Sequence, residues 1–228
     1  MFRKALNNIV TKIKKEGYEI DVDIPLIYLL LFILGKIFSG VYGMISLRSL
    51  YPIYRNRNTL IKCKSKIYFG RNVQISRGCI IDGLSHEGIH FGNNVSIGLN
   101  TTILCSGSLK SIGKGIRIGN NVGLGTNGFY GGAGGVEIGD DTIFGNFVSI
   151  HPENHNYDND IIPIRQQGVN HKGIRIGNNC WIGAKATILD GTILGDGCIV
   201  AAGAVVTGIF PGNSIVGGVP AKIIKTRI

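Results

Sequence analysis

The chain has 228 residues, enough for one large domain with an appendage, and an apolar share of 44% that can fill a core. Its 35 glycines show no Gly-X-Y period, which excludes collagen, and the abundant aliphatics exclude low-complexity disorder. The net charge of +10 is uneven, with 12 Lys/Arg against 4 Asp/Glu in residues 1–66 and 12 against 10 in the rest. That excess flanks an apolar run and does not interleave with aromatics, so nucleic acid is not an expected partner.

In chain order, Phe2, Leu6, Ile9, Val10 and Ile13 recur at helical spacing with lysines between them, and Gly17 is a stop, which predicts a basic amphipathic helix over 2–17. Residues 24–47 (IPLIYLLLFILGKIFSGVYGMISL) follow. A secretory signal peptide is disfavoured because acidic residues precede this run and no cleavage site follows it. The length could span a bilayer, but Lys36 near its middle would be costly there. Two readings stay open. The segment lies on the cytoplasmic leaflet, held by Arg48, Arg55, Arg57 and the lysines against anionic lipid, or it caps the following domain and its partner subunits. Pro52 and its basic neighbours form a linker. The expected division is a helical region over 1–66 and a second domain over 67–228.

From Phe69 a six-residue period sets in, and it is strongest over Ile176–Thr207. Aliphatics fall at Ile176, Ile182, Ile188, Leu194, Val200 and Val206, and the fifth position of most units is small, as at Cys180, Ala186, Cys198 and Ala204. A helix has no use for a strict period of six. Short strands joined by tight corners do, three to a coil, so the expected fold is an all-β solenoid, a parallel β-helix. Matching units begin at Phe69, Phe91, Ile118, Ile138, Ile176 and Leu194, so successive coils run 22, 27, 20, 38 and 18 residues. Variable loops on a constant rung are where repeat proteins carry function. Asn-Asn pairs at 93–94, 120–121 and 178–179 suit corners with positive φ. Cys180 and Cys198 lie one coil apart and should stack as buried thiols. Five cysteines, an odd number, do not suit a disulfide framework and include no CxxC pair, so a reducing cytosol is expected.

The longest insertion, HPENHNYDNDIIPIRQQGVNHKG after Ile150, carries His151, His155 and His171 with Glu153, Asp158 and Asp160. Three readings are open for it: a solvated loop, a metal site using HxxxH, or general-base catalysis by a histidine whose tautomer a carboxylate fixes.

The repeat, this loop and the closing IVGGVPAKIIK resemble the hexapeptide acyltransferases, in particular galactoside and maltose O-acetyltransferases and those of capsule and O-antigen clusters. The resemblance spans about residues 67–226. It implies a left-handed helix, a homotrimer with sites between subunits, acetyl-CoA as co-substrate, no metal, and a histidine that deprotonates the acceptor hydroxyl for direct transfer. It places the base at His155, five positions after Ile150, with His151 the second candidate and Asp158, Glu153 or a backbone carbonyl orienting the ring. Asn127 is the implied acceptor contact and Trp181 a wall of the cleft. Gly183, Ala184, Ala202 and Gly203 are implied to line the pantetheine channel, a turn at Thr207–Gly208 to receive adenine, and Lys185, Lys222, Lys225 and Arg227 to meet the phosphates. The implied function is O-acetylation of a sugar or surface-polysaccharide precursor in the cytoplasm, at the inner face of the membrane. The rivals are N-acetylation of an amino sugar, a non-catalytic assembly module and a carbonic-anhydrase-like metalloenzyme.

Overall fold

The structure, a computed structural model, describes Asn7 and residues 19–227. The helix expected over 2–17 lies outside the described residues apart from Asn7, whose side-chain oxygen accepts from the Ile20 amide at 3.1 Å. Two compact units divide between Phe38 and Ser39.

The second unit is a left-handed parallel β-helix. Its strands are two or three residues long and stack into three ladders, here called faces A, B and C. The chain visits them in that order on every coil. The register reproduces the coil lengths read from sequence: Ile67 pairs with Ile89, Ile89 with Ile116, Ile116 with Val136 and Val136 with Ile174, steps of 22, 27, 20 and 38 residues. Inward residues stack coil on coil. Ile75, Ile97, Leu124, Phe144, Ile182 and Val200 fill the column behind face A, and Ile81, Ile103, Tyr130, Ile150, Ile188 and Val206 that behind face B, all buried. Each such side chain removed from water contributes about 1.5–3 kcal/mol. Cys79, Cys180 and Cys198 are buried free thiols at the inner corners.

The corners explain the asparagines. Asn72, Asn94, Asn121, Asp141 and Asn179 all have φ between 52° and 59°, a region that Asn and Asp tolerate better than other side chains. Their preceding neighbours form an intercoil ladder. Asn93 accepts from the Arg71 amide (2.8 Å), Asn120 from Asn93 (2.9 Å), Asp140 from Asn120 (2.7 Å), Asn178 from Asp140 (2.8 Å) and Asp196 from Asn178 (2.7 Å). Turn amides that no strand can satisfy are thereby paired all the way down the prism.

The parallel ladder starts at Tyr54, upstream of the boundary expected at 67. Tyr54–Arg55 and Leu60–Lys62 already pair with Gln74–Ile75 and Ile80–Asp82. The hexapeptide pattern is hidden there because Arg55 occupies the inward position that aliphatics fill in later coils. Its Nε donates to Thr59 Oγ1 (2.7 Å), Nη2 to the Thr59 carbonyl (3.1 Å) and Nη1 to Ser46 Oγ (2.8 Å), so the buried cation is satisfied without a carboxylate. Ser46 belongs to the helix Leu26–Leu47, whose last turns therefore plug the open end of the prism. Gly43 allows this approach, since a Cβ there would collide with the Ile53 carbonyl. At the other end an antiparallel strand, Ala221–Thr226, folds back on Ser214–Gly218. The helix is long and apolar enough to cross a membrane by length and composition, and Ile27, Leu31, Phe38 and Ile45 on it are exposed.

One regularity bears directly on function. From face A to face B the chain always advances six residues, as from Gly123 to Phe129 and from Trp181 to Thr187. From face C to face A it advances seven in every coil up to Ile174–Trp181. All variation in coil length falls at the corner between faces B and C, which Asp82–Ile89, Leu104–Ile116 and His151–Ile174 cross by loops of different length.

Candidate functional site

The longest B-to-C loop leaves face B after His151 and returns to face C at Ile174. Its base is a short antiparallel hairpin in which Asn154 pairs with Asn170 and His155 with Val169. Beyond it the loop is held by its own amides. Gln167 Nε2 donates to the carbonyls of Asn159 (2.7 Å) and Ile162 (2.6 Å), Asn159 Oδ1 accepts from the amides of Ile161 (2.9 Å) and Ile162 (3.0 Å), and Asn170 Nδ2 donates to Asn156 Oδ1 (2.6 Å). The segment is ordered without an apolar core of its own, and Tyr157, Ile161 and Ile164 are exposed at its tip.

Asp190, in the following coil, staples this hairpin to the solenoid. Its carboxylate accepts from the Lys172 amide with both oxygens (2.9 Å each), from the Gly173 amide (2.8 Å) and from Asn154 Nδ2 (3.3 Å), and the residue is only 7% exposed. Both strands of the hairpin are thus tied to one buried anion. Sequence reasoning did not single out Asp190. The signal was an acidic residue within Ile188–Asp190, where the repeat otherwise runs apolar.

The expected site residues fall on two edges of the prism and at one end. His155 is exposed on the hairpin at the B–C edge. Neither Asp158 nor Glu153 orients its ring: among the described residues no carboxylate forms an ion pair with it, the two such pairs being Arg117–Glu87 and Arg175–Glu137. The hairpin carries His155 on a strand while both carboxylates lie in flanking exposed backbone, so the expected carboxylate–imidazole pair is not formed within one chain. His151 is instead an outward residue of face B, stacked on Phe129 with centroids 5.3 Å apart. Partial burial there pushes its imidazole pKa down, favouring the neutral ring.

Asn127, Lys185 and Gly203 share one column at the opposite, A–B edge, all with positive φ (56°, 61° and 71°). Their corner conformation accounts for Asn127 by itself. Gly183, Ala184 and Ala202 precede them in the same corners. A Cβ on Gly203 would meet nothing within 4 Å, so the backbone lies open there, whereas one on Gly183 would sit 2.6 Å from the Ala202 amide nitrogen; Gly208, equally open, lies at the B–C corner. Thr207 follows the last face-B strand, in the column of His151 and Leu189. Trp181 stands outward on face A in register with Ile143 and Ile199 and is half-exposed. Lys222 and Lys225 project from the antiparallel end strand, while Arg227 is engaged by the Gly197 carbonyl at 2.8 Å. Among the described residues no group of three or more His, Cys, Asp or Glu is placed to hold a metal ion.

Comparison with known proteins agrees with this geometry. Residues 173–208 match the family described as bacterial transferase hexapeptide (six repeats). The chain is 40% identical over 92 residues to "Probable acetyltransferase Rv3034c" of Mycobacterium tuberculosis, a match covering 40% of this chain and 31% of that protein. It is 34% identical over 95 residues to galactoside O-acetyltransferase of Escherichia coli, covering 40% and 43%. The chain thus spans about a third to a half of the length of the curated relatives it matches. Among solved structures, AntD, an N-acyltransferase from Bacillus cereus in complex with dTDP and coenzyme A, superposes with a TM-score of 0.52 at 21% identity, covering 78% of this chain and 82% of that one, which bears on the fold. Residues 173–208 thus carry the hexapeptide repeat of bacterial transferases, and in its coils and its prism of three parallel ladders the chain resembles the acetyltransferases it matches.

Proposed function

We propose that this protein is an acetyl-CoA-dependent acetyltransferase that acylates a hydroxyl of a sugar or polysaccharide precursor, with His155 as general base. The observation that carries the reading is the pinned hairpin: a buried carboxylate fixes both legs of a loop that presents an exposed imidazole. The strip at Ala184 and Ala202–Gly203 fits a thin pantetheine arm, because its exposed residues are small and a Cβ on Gly203 would meet nothing within 4 Å. Strip and histidine occupy opposite edges of face B, so a site that uses both is completed when a second copy lays its A–B edge beside the hairpin. This favours a homotrimer with three sites between subunits.

In the site, the His155 imidazole accepts the proton of the acceptor hydroxyl as that oxygen bonds to the thioester carbon. The imidazolium then returns the proton to the departing thiolate. No acyl-enzyme is needed, and the buried thiols are poor nucleophiles: burial pushes Cys180 up to about 11 and Cys105 up to about 12. Turnover in His155→Ala falls by about two to four decades, the usual loss for a general base, while the fold persists. Near-normal turnover in that variant ends the assignment. An acceptor panel containing both a hexose and an amino hexose distinguishes O- from N-transfer.

The exposed apolar helix supports contact with the inner leaflet of the cytoplasmic membrane. Besides the buried Arg55, residues 48–77 add seven Lys/Arg and no Asp/Glu, a charge pattern suited to anionic lipid. Flotation with phosphatidylglycerol vesicles tests this, and recovery of the protein only in the bottom fraction refutes it.

A further inference from the structure

A second concave feature lies on the face-C side of the loop-bearing edge, and nothing in the proposed reaction uses it. It is a groove of about 200 Å³ whose floor is backbone at Gly115, Gly134, Gly135, Gly173 and Gly191. That is smaller than the ~300–1,000 Å³ of a site for a drug-sized molecule, so it suits one part of a larger ligand. Four cations and two carboxylates line it. The arginines are already committed, Arg117 to Glu87 at 3.3 Å and Arg175 to Glu137 at 3.1 Å. Lys114 and Lys172 are not: among the described residues neither ammonium has a carboxylate within ion-pair distance. The glycine floor gives their stems room. A Cβ on Gly135 would lie 2.7 Å from Lys114 Cδ, and one on Gly191 3.2 Å from Lys172 Cδ. Two uncompensated ammonium groups over bare backbone make a receptor for an oxyanion.

The position of the groove says which oxyanion. Lys172 and Gly173 are the foot of the hairpin, fixed by Asp190, and Lys172 stands three residues after Val169, the pairing partner of His155. At ~3.4 Å per residue that is about 10 Å along the strand from Val169, the span of one to two sugar rings. We propose that the acceptor is an anionic glycan, and that Lys114 and Lys172 hold a carboxylate or phosphate one or two sugar residues from the hydroxyl that is acetylated. This rests on the transferase reading above and adds the substrate class to it.

The test uses the full-length protein and the double variant Lys114→Gln/Lys172→Gln, in which the Lys172 backbone amide and its bond to Asp190 are retained. Binding is measured first, without catalysis, by calorimetric titration with glucuronate and with glucose 1-phosphate, using glucose as the neutral control and coenzyme A as the donor control. The expected result is that both anionic sugars bind at least tenfold more tightly than glucose. The double variant abolishes that preference, and rising salt weakens it. Coenzyme A affinity is the same in both proteins. If the anionic sugars and glucose bind alike, or if the preference survives in the double variant, the groove is not an acceptor site. If the substitutions weaken coenzyme A and not the sugars, the oxyanion belongs to the donor and the inference fails. Acetyl transfer to the same sugars, compared with His155→Ala, reports separately on the transferase reading: no transfer by the parent protein, or transfer undiminished in His155→Ala, with the binding preference intact would sink that reading and leave the groove standing.

Discussion

Asp190→Ala is the most informative perturbation of the site. The substitution removes the acceptor for two main-chain amides, Lys172 and Gly173, and for the Asn154 carboxamide. Hydrogen bonds to a charged group are worth about 1.5–3 kcal/mol each, and bonds sharing one acceptor are not additive. Water that enters the vacated space repays part of the loss, which leaves about 2–4 kcal/mol. That cost falls on the hairpin, because the rung stack does not depend on it, so the global unfolding midpoint moves little. Displacing His155 by about 1 Å would cost around a hundredfold in turnover. Amide hydrogen exchange with peptide-level resolution checks the local effect: protection over 170–173 should collapse in Asp190→Ala and recover partly in Asp190→Asn, which keeps one oxygen acceptor. Protection and turnover both within twofold of the parent would show that Asp190 does not hold the hairpin.

Other consequences are equally direct. In Gly139→Ala the new Cβ sits 2.6 Å from the Gly177 carbonyl carbon and 2.7 Å from the Asn178 amide nitrogen. Both are backbone and cannot step aside, so urea titration should show a loss of about 1–3 kcal/mol, and a change under 0.5 kcal/mol contradicts the packing. Because the pKa of His151 is lowered in the folded state, the unfolded chain binds the proton more readily; the protein loses stability as pH falls below about 6.5. His151→Gln should flatten that part of the stability–pH curve, and an unchanged slope from pH 7 to 5 would assign the acid sensitivity elsewhere. At pH 8 a thiol reagent should modify Cys63, which is partly exposed, while Cys79, Cys105, Cys180 and Cys198 react only after denaturation.

The solenoid was legible because its signal is periodic and apolar. Every coil length from Phe69 onward survives in the register, since an aliphatic such as Ile150 or Ile188 can occupy only the inward position of a rung. The first coil was not legible for the converse reason. Arg55 stands where the pattern requires an aliphatic, and its partners Thr59 and Ser46 become visible only when the helix end is folded over it. The hairpin's polarity marked it as special, but pairing between Asn154 and Asn170 across the intervening residues 155–169 leaves no periodic trace. Asp190 stabilises segments 17 and 18 residues upstream through backbone amides, which no residue type announces. The lysine groove was illegible because it assembles residues from five different coils onto glycines that read only as corner residues.

The confinement of every insertion to one corner gives the molecule a division of labour. Two edges keep constant pitch and propagate register, so any lengthening there would shear all the ladders that follow. The third edge is decoupled from register and can change length freely: the segment between His151 and Ile174 could be exchanged for one of another size while the coils above and below kept their partners. On the proposed function, acceptor preference is expected to be open to re-engineering at that edge as a local graft, leaving the coils and the A–B edge untouched.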